Sequence, residues 1–433
     1  MLKRTLGIVG LMAVMFFQVS GGPFSLEGLV AALGPGLALL MLVMVPLVWA
    51  LPEALIVGEL ASMLPEEGGY YRWVRRAFGP FWGFQNAWAT WLYSIVDLAL
   101  YPVLFNSYLS WFVPDISAGA RWMVSLAVIW GATAINLRGA LPVGRISIVA
   151  GVFVVGAFVA MGVLALPNAT HVPWVPFTKP GDGMGALLAV GLSTAVWNFS
   201  GWDNASTVNG EVKDPGRAYP RALFVMLPLI TLIYFATLLP ALAATDWTTW
   251  TDGGWPAIAA AATGRAGPFI AGWIALAGMV SALALFNALL LGHSRVPLAM
   301  ANDGLLPKAL ARTDARGTPR NAVLASAICY SVFALLPFGH LVVADVLLYA
   351  IALLMELAAL VALRRCEPEL RGAFRIPLGT RGVAVLACLP ALVLVALVWL
   401  SLADLEFALP ALLGAFGALA LGVPLYTFIV RRS

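Results

Sequence analysis

The charged residues of this chain are spaced so widely that long uncharged runs lie between them, for example 5–26, 28–52, 77–96, 222–245 and 407–430. A helix that crosses the hydrocarbon core of a bilayer needs about 20 consecutive apolar residues, and its backbone polar groups find their partners inside the helix. The runs therefore predict an all-α integral membrane protein. Polar, proline-rich and glycine-rich breaks divide the chain into twelve predicted transmembrane spans, at about 5–34, 36–63, 80–113, 120–138, 142–166, 184–212, 219–244, 267–295, 321–338, 341–363, 382–403 and 407–430.

The composition supports this interpretation, because 61% of the residues are hydrophobic and only 11% are charged. Soluble domains carry roughly 25% charged residues. The net charge is +4, but the basic residues form no patch with interleaved aromatic side chains, so we expect no nucleic-acid partner. Cys329, Cys366 and Cys388 lack the spacing of a disulfide framework or a metal site, and we expect neither a metal nor a cofactor.

The basic residues also predict the orientation in the membrane. With the N-terminus placed inside, 22 of the 25 lysines and arginines fall in cytoplasmic segments, and only Arg121, Lys179 and Arg265 fall outside. This asymmetry follows the positive-inside rule. Residues 1–22 have the basic end and apolar stretch of a signal peptide, but apolar sequence continues beyond them, so we interpret them as part of the first membrane helix. We expect a multi-pass protein of the plasma (inner) membrane, surrounded by lipid, with both termini cytoplasmic.

Two of the predicted spans are interrupted by residues that break a helix. The first contains Ser20, Gly21, Gly22 and Pro23, and the sixth contains the polar, glycine-bearing segment 198–203. Glycine and proline leave backbone groups without helical partners, which membranes tolerate only where the backbone lines a cavity or is buried in protein. Ordinary kinks are the alternative explanation. Two breaks five spans apart are typical of an inverted repeat with a substrate site near the bilayer midplane, as in transporters.

The chain resembles the amino acid-polyamine-organocation (APC) superfamily over roughly residues 5–380. Within it, the segments are most similar to the branch of polyamine uptake and L-type amino acid transporter-like proteins. The resemblance is carried by residues 19–24 (VSGGPF), 58–61 (GELA), 68–70 (GGY), 81–85 (FWGFQ), Asp97, 100–105 (LYPVLF), Trp202-Asp203, 210–212 (GEV), 214–215 (DP), 302–307 (NDGLLP), 347–349 (LLY) and Glu356.

This resemblance implies a LeuT-like fold with a 5+5 inverted repeat, in which spans 1 and 6 are broken. Residues 5–166 then form the first repeat, 184–363 the second, and 382–430 the last two spans outside the repeat. It further implies that an aromatic side chain before the sixth-span break closes over the substrate, which points to Trp197 or Phe199. Family members also place substrate contacts at positions matching Phe286 and Asn287.

Acidic residues within the spans are the main chemical signal, because a carboxylate at the centre of an isolated span costs about 2.5–3.5 kcal/mol on insertion scales. Asp203 directly follows the second break, where it is a candidate to bind an ammonium group or carry a proton, or to cap a following half-helix. Asp97 shares a helix face with Tyr93 and Tyr101, four residues to either side. An acid between two phenols suits an organic cation, although a hydrogen-bonded core acid is the alternative.

Three further acids lie within the predicted spans. Glu53 follows Pro52 in the middle of the second span, and either substrate contact or helix–helix contact explains it. Glu59, near the cytoplasmic end of that span, is expected to pair with an arginine of the following loop. Glu356 shares a stripe with Tyr349 and is expected to be structural or part of a cytoplasmic gate.

These observations predict a secondary active transporter that imports polyamines or amino acids by alternating access. The predicted substrate contacts are Ser20, Gly21, Gly22, Asp97, Tyr101, Trp197, Phe199, Ser200, Gly201, Trp202, Asp203, Phe286 and Asn287. The proton-coupling candidates are Asp203, Asp97 and Glu53, and the gate or structural acids are Glu59 and Glu356.

The type of substrate depends on how the first break is used. An α-carboxylate would bind the amides of Gly21 and Gly22 at the positive end of a half-helix. A polyamine needs an acid at each end instead, which Asp97 and Asp203 supply, and the number of acids favours this version. Proton coupling is an inference from chemistry, with sodium coupling, exchange of amino acids or a non-transporting sensor as alternatives. The chain shows neither the repeated polar lining of a channel nor a nucleophile or metal motif of an enzyme.

Overall fold

The computed structural model of the chain describes residues 3–181, 183–315, 317–333, 341–401, 414 and 416–430. Within these residues the protein contains helices and no β-strand; an isolated parallel bridge pairs Leu6 with Val212. The α-helices are α1 (Ile8–Val19), α2 (Leu26–Leu33), α3 (Pro35–Val45), α4 (Leu51–Met63), α5 (Gly69–Phe78), α6 (Pro80–Leu109), α7 (Ala118–Asn136), α8 (Ala140–Ala165), α9 (Met184–Trp197), α10 (Pro215–Ala244), α11 (Trp255–Ala262), α12 (Gly267–His293), α13 (Arg295–Asn302), α14 (Arg320–Phe333), α15 (Leu341–Cys366), α16 (Thr380–Ser401) and α17 (Gly422–Val430).

Several of these helices are long and apolar enough to cross a membrane. The described residues contain seven such segments: Pro35–Met63, Pro80–Leu109, Ala118–Asn136, Ala140–Asn168, Pro215–Ala244, Gly264–Asn302 and Thr380–Leu400. Two shorter apolar helices, Ile8–Val19 and Phe416–Ile429, lie near the ends. The predicted spans 321–338, 382–403 and 407–430 extend into residues outside the described ones. The helices support a protein that crosses the membrane several times, as predicted.

The first break separates α1 from α2. Gly21 and Gly22 have positive φ angles of 64° and 119°, a conformation that glycine adopts without steric cost. A Cβ atom on Gly21 would lie 2.7 Å from a Leu285 methyl carbon and 2.8 Å from the Ser281 hydroxyl oxygen. The absence of a side chain therefore allows the break to approach α12 closely.

The second break follows α9 and lies against the first. Gly201 has a φ angle of 96°, and a Cβ atom there would lie 2.6 Å from the Gln18 carbonyl oxygen of α1. Beyond it, Asn204–Glu211 form a 3-10 helix instead of an α-helical second half. Asp203 precedes this helix, but its side chain accepts no capping hydrogen bond. The Asp203 carboxylate instead lies beside the Tyr349 hydroxyl, whose oxygen is 3.0 Å from Asp203 Oδ1.

The core of the bundle forms around α12, which contacts α1, α6, α7, α8 and α11. Small residues permit this close packing, as is usual between membrane helices. At Gly278 of α12, the ring of Tyr108 from α6 occupies the space that a Cβ atom would need. The same arrangement places Tyr108 at the end of α6, next to the start of α2.

Candidate substrate-binding site

The two breaks enclose a small central cavity of about 40 Å³. Helices α6 and α15 supply the opposite wall, and no lining residue is exposed at the surface. The lining residues are Gln18, Val19, Ser20, Tyr93, Asp97, Tyr101, Val196, Trp197, Ser200, Gly201, Asn204, Leu285 and Tyr349. Six predicted contacts are brought together here: Ser20, Asp97, Tyr101, Trp197, Ser200 and Gly201.

Asp97 provides a carboxylate to the cavity wall. Its side chain is buried within α6, and the Tyr101 hydroxyl donates a hydrogen bond to its Oδ1 atom at 2.8 Å. The spacing of four residues on one helix face produces this pair. Tyr93, one turn earlier on α6, packs against Tyr349 with 5.2 Å between the ring centroids. Carboxylate and aromatic groups thus line the same wall.

Tyr349 of α15 joins the two other buried acids behind this wall. Its hydroxyl oxygen lies 2.7 Å from Glu53 Oε1 and 3.0 Å from Asp203 Oδ1. The Gly201 amide donates to the same hydroxyl oxygen at 2.8 Å. Glu53 Oε1 also accepts from the Trp202 amide at 3.0 Å. The phenol carries one hydrogen, so it can donate to only one of the two carboxyl groups.

The amides of the first break are already engaged. The Gly21 amide donates to the Phe16 carbonyl oxygen at 2.9 Å, and the Gly22 amide donates to the Ser20 hydroxyl oxygen at 3.1 Å. The Gly21 carbonyl oxygen accepts from the Ser281 hydroxyl at 2.5 Å. Neither glycine lines the central cavity. In this conformation both amides already have acceptors within the protein, so neither is free to donate to the predicted carboxylate.

Two of the predicted contacts at the second break, Phe199 and Trp202, are packed in the protein core. Phe199 is fully buried and packs edge-to-face against Tyr234, with ring centroids 5.3 Å apart. Trp202 is fully buried as well, and its indole nitrogen donates to the Phe199 carbonyl oxygen at 2.8 Å. Both side chains lie outside the cavity lining. Asp203 also lies outside the lining and reaches it through Tyr349.

The two predicted contacts on α12 lie outside the cavity lining as well. Phe286 packs against Tyr330 of α14, with ring centroids 6.0 Å apart. Asn287 accepts a hydrogen bond from the Asn136 side chain of α7 at 2.8 Å. The residue of this helix that lines the cavity is Leu285. The rotation of α12 about its axis decides this difference, and the apolar pattern of α12 does not encode it.

Four polar residues of the cavity lining are absent from the predicted substrate contacts: Gln18, Tyr93, Asn204 and Tyr349. Gln18 donates to the Ala288 carbonyl oxygen at 2.9 Å, and Asn204 donates to the Tyr93 hydroxyl oxygen at 3.2 Å. Tyr349 shares a helix stripe with Glu356, and Tyr93 shares one with Asp97, but this spacing alone does not place either phenol at the site. In the sequence, Gln18 and Asn204 could have been identified as site residues because each is a polar residue beside a break.

A wide cavity of about 630 Å³ adjoins the central one. Ser20, Tyr101, Trp197 and Leu285 line both cavities and so form the constriction between them. The wide cavity extends along the end of α6 and reaches the surface, where its lining includes exposed residues such as Val103 and Ser107. Two acids that were not predicted, Glu27 of α2 and Asp252 of the segment before α11, also line it.

The opposite side of the bundle, which we call the α5 end, is held together by ion pairs. Arg364 of α15 donates to Glu59 of α4 at 2.7 and 2.5 Å, with both side chains buried. Fully buried Arg295 donates to Glu211 at 2.8 Å. The expected partner of Glu59, an arginine of the following loop, was wrong, because α15 packs beside α4 and brings Arg364 closer. Glu356 is also fully buried, 3.5 Å from the Asn86 side-chain nitrogen.

A second ion-pair cluster at the α5 end is formed around Asp303. The Tyr71 hydroxyl donates to its carboxylate at 2.6 Å, Arg72 donates at 2.7 Å, and Arg75 forms a further salt bridge. Burial raises the pKa of Asp303, but these hydrogen bonds and charges outweigh it, so the pKa lies below its ordinary value. The cluster ties α5 to the segment after α13.

The pKa of Glu67, in the segment between α4 and α5, is shifted in the opposite direction. Burial raises its pKa well above the ordinary value, and the negative charge of Glu211 raises it further. The positive charges of Arg295 and Arg72 act in the other direction without cancelling this effect. Glu67 therefore holds a proton more tightly when this end is closed than it would in water.

The family model described as amino acid permease matches residues 6–416. Polyamine transporter PUT1 of Oryza sativa subsp. japonica is 37% identical over 99% of this chain and 80% of its own length. Polyamine transporter RMV1 of Arabidopsis thaliana is 35% identical, over 94% of this chain and 83% of its own. Branched-chain amino acid permease BcaP of Lactococcus lactis subsp. cremoris is 28% identical, over 75% and 74%. The resemblance noted in the sequence is thus confirmed.

Proposed function

This chain belongs to the amino acid permease family, and on that premise we propose that it imports polyamines across the plasma membrane by proton-coupled alternating access. As a permease, it moves its substrate without converting it. The observation that carries the proposal is the buried Asp97 carboxylate in the wall of the central cavity, with Asp203 and Glu53 behind Tyr349. Buried acids are costly within a membrane protein, and three of them at one place indicate that the site binds a cationic substrate or protons.

The surroundings of Asp97 suit an ammonium group. The rings of Tyr93, Tyr101, Tyr349 and Trp197 line the same cavity, and aromatic faces attract cations by about 0.5–2 kcal/mol each. A carboxylate adds a charge-assisted hydrogen bond. The site therefore combines the two groups that recognise an organic amine.

Two observations favour a polyamine over an amino acid. The Gly21 and Gly22 amides, which would hold an α-carboxylate, donate to Phe16 and Ser20. The relatives that are 35–37% identical are named polyamine transporters, and the chain spans at least 80% of their length. An amino acid substrate remains the second candidate, since a branched-chain amino acid permease is 28% identical.

The arrangement around Tyr349 supports coupling to protons. Its single hydroxyl hydrogen serves either Glu53 or Asp203, so the other contact is favourable only when that carboxyl group itself carries a proton. A proton shared by three oxygen atoms at the substrate site provides a binding step for a coupling ion. Asp203, Glu53 and Asp97 are the proposed carriers, and sodium is the alternative ion.

The two ends of the bundle support alternating access. The wide cavity reaches the surface at one end, whereas the Glu59–Arg364 and Glu211–Arg295 pairs hold the α5 end together. We assign the α5 end to the cytoplasm, where both termini also lie. In this assignment the protein has twelve transmembrane helices and a LeuT-like fold, with repeats at 5–166 and 184–363 and two further helices within 382–430.

Uptake into liposomes tests the proposal. Protein reconstituted with an inward proton gradient should accumulate labelled putrescine or spermidine, and unlabelled amino acids should compete poorly. Asp203→Asn and Asp97→Asn should abolish accumulation while the protein stays monodisperse. Asp115→Asn, an exposed acid between α6 and α7, is the matched control and should transport normally. If amino acids alone compete and Asp203→Asn transports normally, the polyamine assignment fails.

A further inference from the structure

Glu27 has an unusual environment for an acid in the wall of the wide cavity. Its side chain is fully buried at the start of α2. The Gly253 amide donates to its Oε1 atom at 3.0 Å, and the Tyr108 hydroxyl lies 3.5 Å from the same oxygen. Its second oxygen, Oε2, is buried and has no hydrogen-bond partner among the described residues. A buried carboxylate oxygen without a hydrogen-bond partner is unfavourable. Glu27 Oε2 can therefore accept a hydrogen bond from a donor group of a bound ligand.

Asp252 places a second carboxylate in the same cavity. Its side chain lies next to Gly28, where a Cβ atom would come within 3.0 Å of Asp252 Oδ1. Because Gly28 follows Glu27 directly, the two acids meet at the wall formed by the start of α2. Both line the wide cavity together with the aromatic rings of Phe24 and Tyr108. The wall therefore repeats the combination of carboxylate and aromatic groups found around Asp97.

The size of the central cavity shows why a second position is needed. A cavity needs roughly 10–15 Å³ of such volume to hold even one water molecule. The central cavity, at about 40 Å³, thus accommodates one amine end but not the length of putrescine or spermidine. The rest of an extended amine must pass between Ser20, Tyr101, Trp197 and Leu285 into the wide cavity, because these residues line both spaces.

The geometry points to a second ammonium-binding position in the wide cavity, formed by Glu27 and Asp252, which binds the far amine of an extended polyamine whose near amine occupies the central cavity. This inference rests on the proposed function and deepens it, because it predicts that the site selects amines by length. A diamine or triamine contacts acids at both positions. A monoamine contacts the central one alone and binds more weakly.

Equilibrium binding to the purified full-length protein, measured by titration calorimetry, tests this position separately from transport. The probes are spermidine and the monoamine butylamine. A hydrogen bond to a charged group contributes about 1.5–3 kcal/mol. Hence Glu27→Gln combined with Asp252→Asn should raise the Kd for spermidine by about tenfold or more. The Kd for butylamine should change far less.

Two further variants control for folding and for surface charge. Glu27→Asp keeps the carboxylate and should retain most of the spermidine affinity lost in Glu27→Gln. Gln at this position can still accept from the Gly253 amide, so the local fold should persist. Asp115→Asn removes an exposed acid beyond the end of α6 and should change neither Kd.

The outcomes separate the two proposals. Unchanged spermidine affinity in the double variant, or an equal loss for both amines, overturns the second position even if the wild type transports polyamines. Tenfold weaker spermidine binding in the double variant supports it even if liposomes accumulate no polyamine, in which case the transport proposal fails. Failure of the wild-type protein to bind spermidine overturns both.

Discussion

The Tyr349 hydroxyl lies within hydrogen-bonding distance of both Glu53 and Asp203, at 2.7 and 3.0 Å. It thereby connects α15, α4 and the second break at one point beside the central cavity. This contact explains how two acids remain buried together within the bundle. A change at one carboxyl group therefore acts on the other through this phenol.

Replacing Tyr349 with Phe removes this connection but keeps the ring in the cavity wall. Because both acids then lose a shared donor, we expect the initial rate of polyamine uptake to fall by about tenfold or more, as for loss of a hydrogen bond to a charged group. Tyr330→Phe is the control, since that buried hydroxyl lies 3.2 Å from Ser94 instead. Equal rates for Tyr349→Phe and wild type in liposomes would show that the hydroxyl has no part in transport.

The Glu59–Arg364 pair should contribute strongly to stability. Arg364→Met leaves the buried Glu59 carboxylate without its charged partner, which costs about 3–5 kcal/mol for a buried pair. We expect a clear decrease in Tm, partly reversed when Glu59→Gln is added. Arg76→Met, which breaks the exposed pair with Glu367, should change Tm little. Similar Tm values for Arg364→Met and Arg76→Met would contradict this.

Because of Glu67, we expect the stability of the closed α5 end to depend on pH. Its pKa is raised in the folded protein. The stability it contributes is therefore present below the ordinary pKa of glutamate, about 4.3, and is lost as the pH rises through the folded value. Glu67→Gln should flatten the decrease of Tm with rising pH, whereas Glu66→Gln, on the exposed neighbour, should not. Identical pH profiles for wild type and Glu67→Gln would rule out this role.

Gly201 should tolerate no side chain. Alanine at a φ angle of 96° is strained by about 1–2 kcal/mol, and its Cβ would overlap the Gln18 carbonyl. We expect Gly201→Ala to lower both Tm and uptake. Gly272→Ala, in α12 with open space around it, should be neutral or raise Tm slightly. Thermal unfolding and uptake of both variants check this, and a functional Gly201→Ala protein would show that the breaks need not touch.

Some features of the site could be predicted because they depend only on neighbouring residues. The apolar runs predicted membrane helices, since the length of a span is set by the thickness of the bilayer. Gly21 and Gly201 predicted the two breaks, because the missing side chain is a local property. The Asp97–Tyr101 hydrogen bond followed from four-residue spacing on one helix face.

The tertiary structure decided which distant groups meet. Glu59 pairs with Arg364, 305 residues away, and Tyr349 joins Glu53 to Asp203 across three elements. Leu285 lines the cavity where Phe286 and Asn287 were expected. These outcomes depend on how each helix is rotated and how closely it packs, and almost uniformly apolar helices carry little pattern to encode that rotation. The sequence by itself thus determined the spans, the breaks and the presence of buried acids, whereas packing between helices determined the partner of each acid.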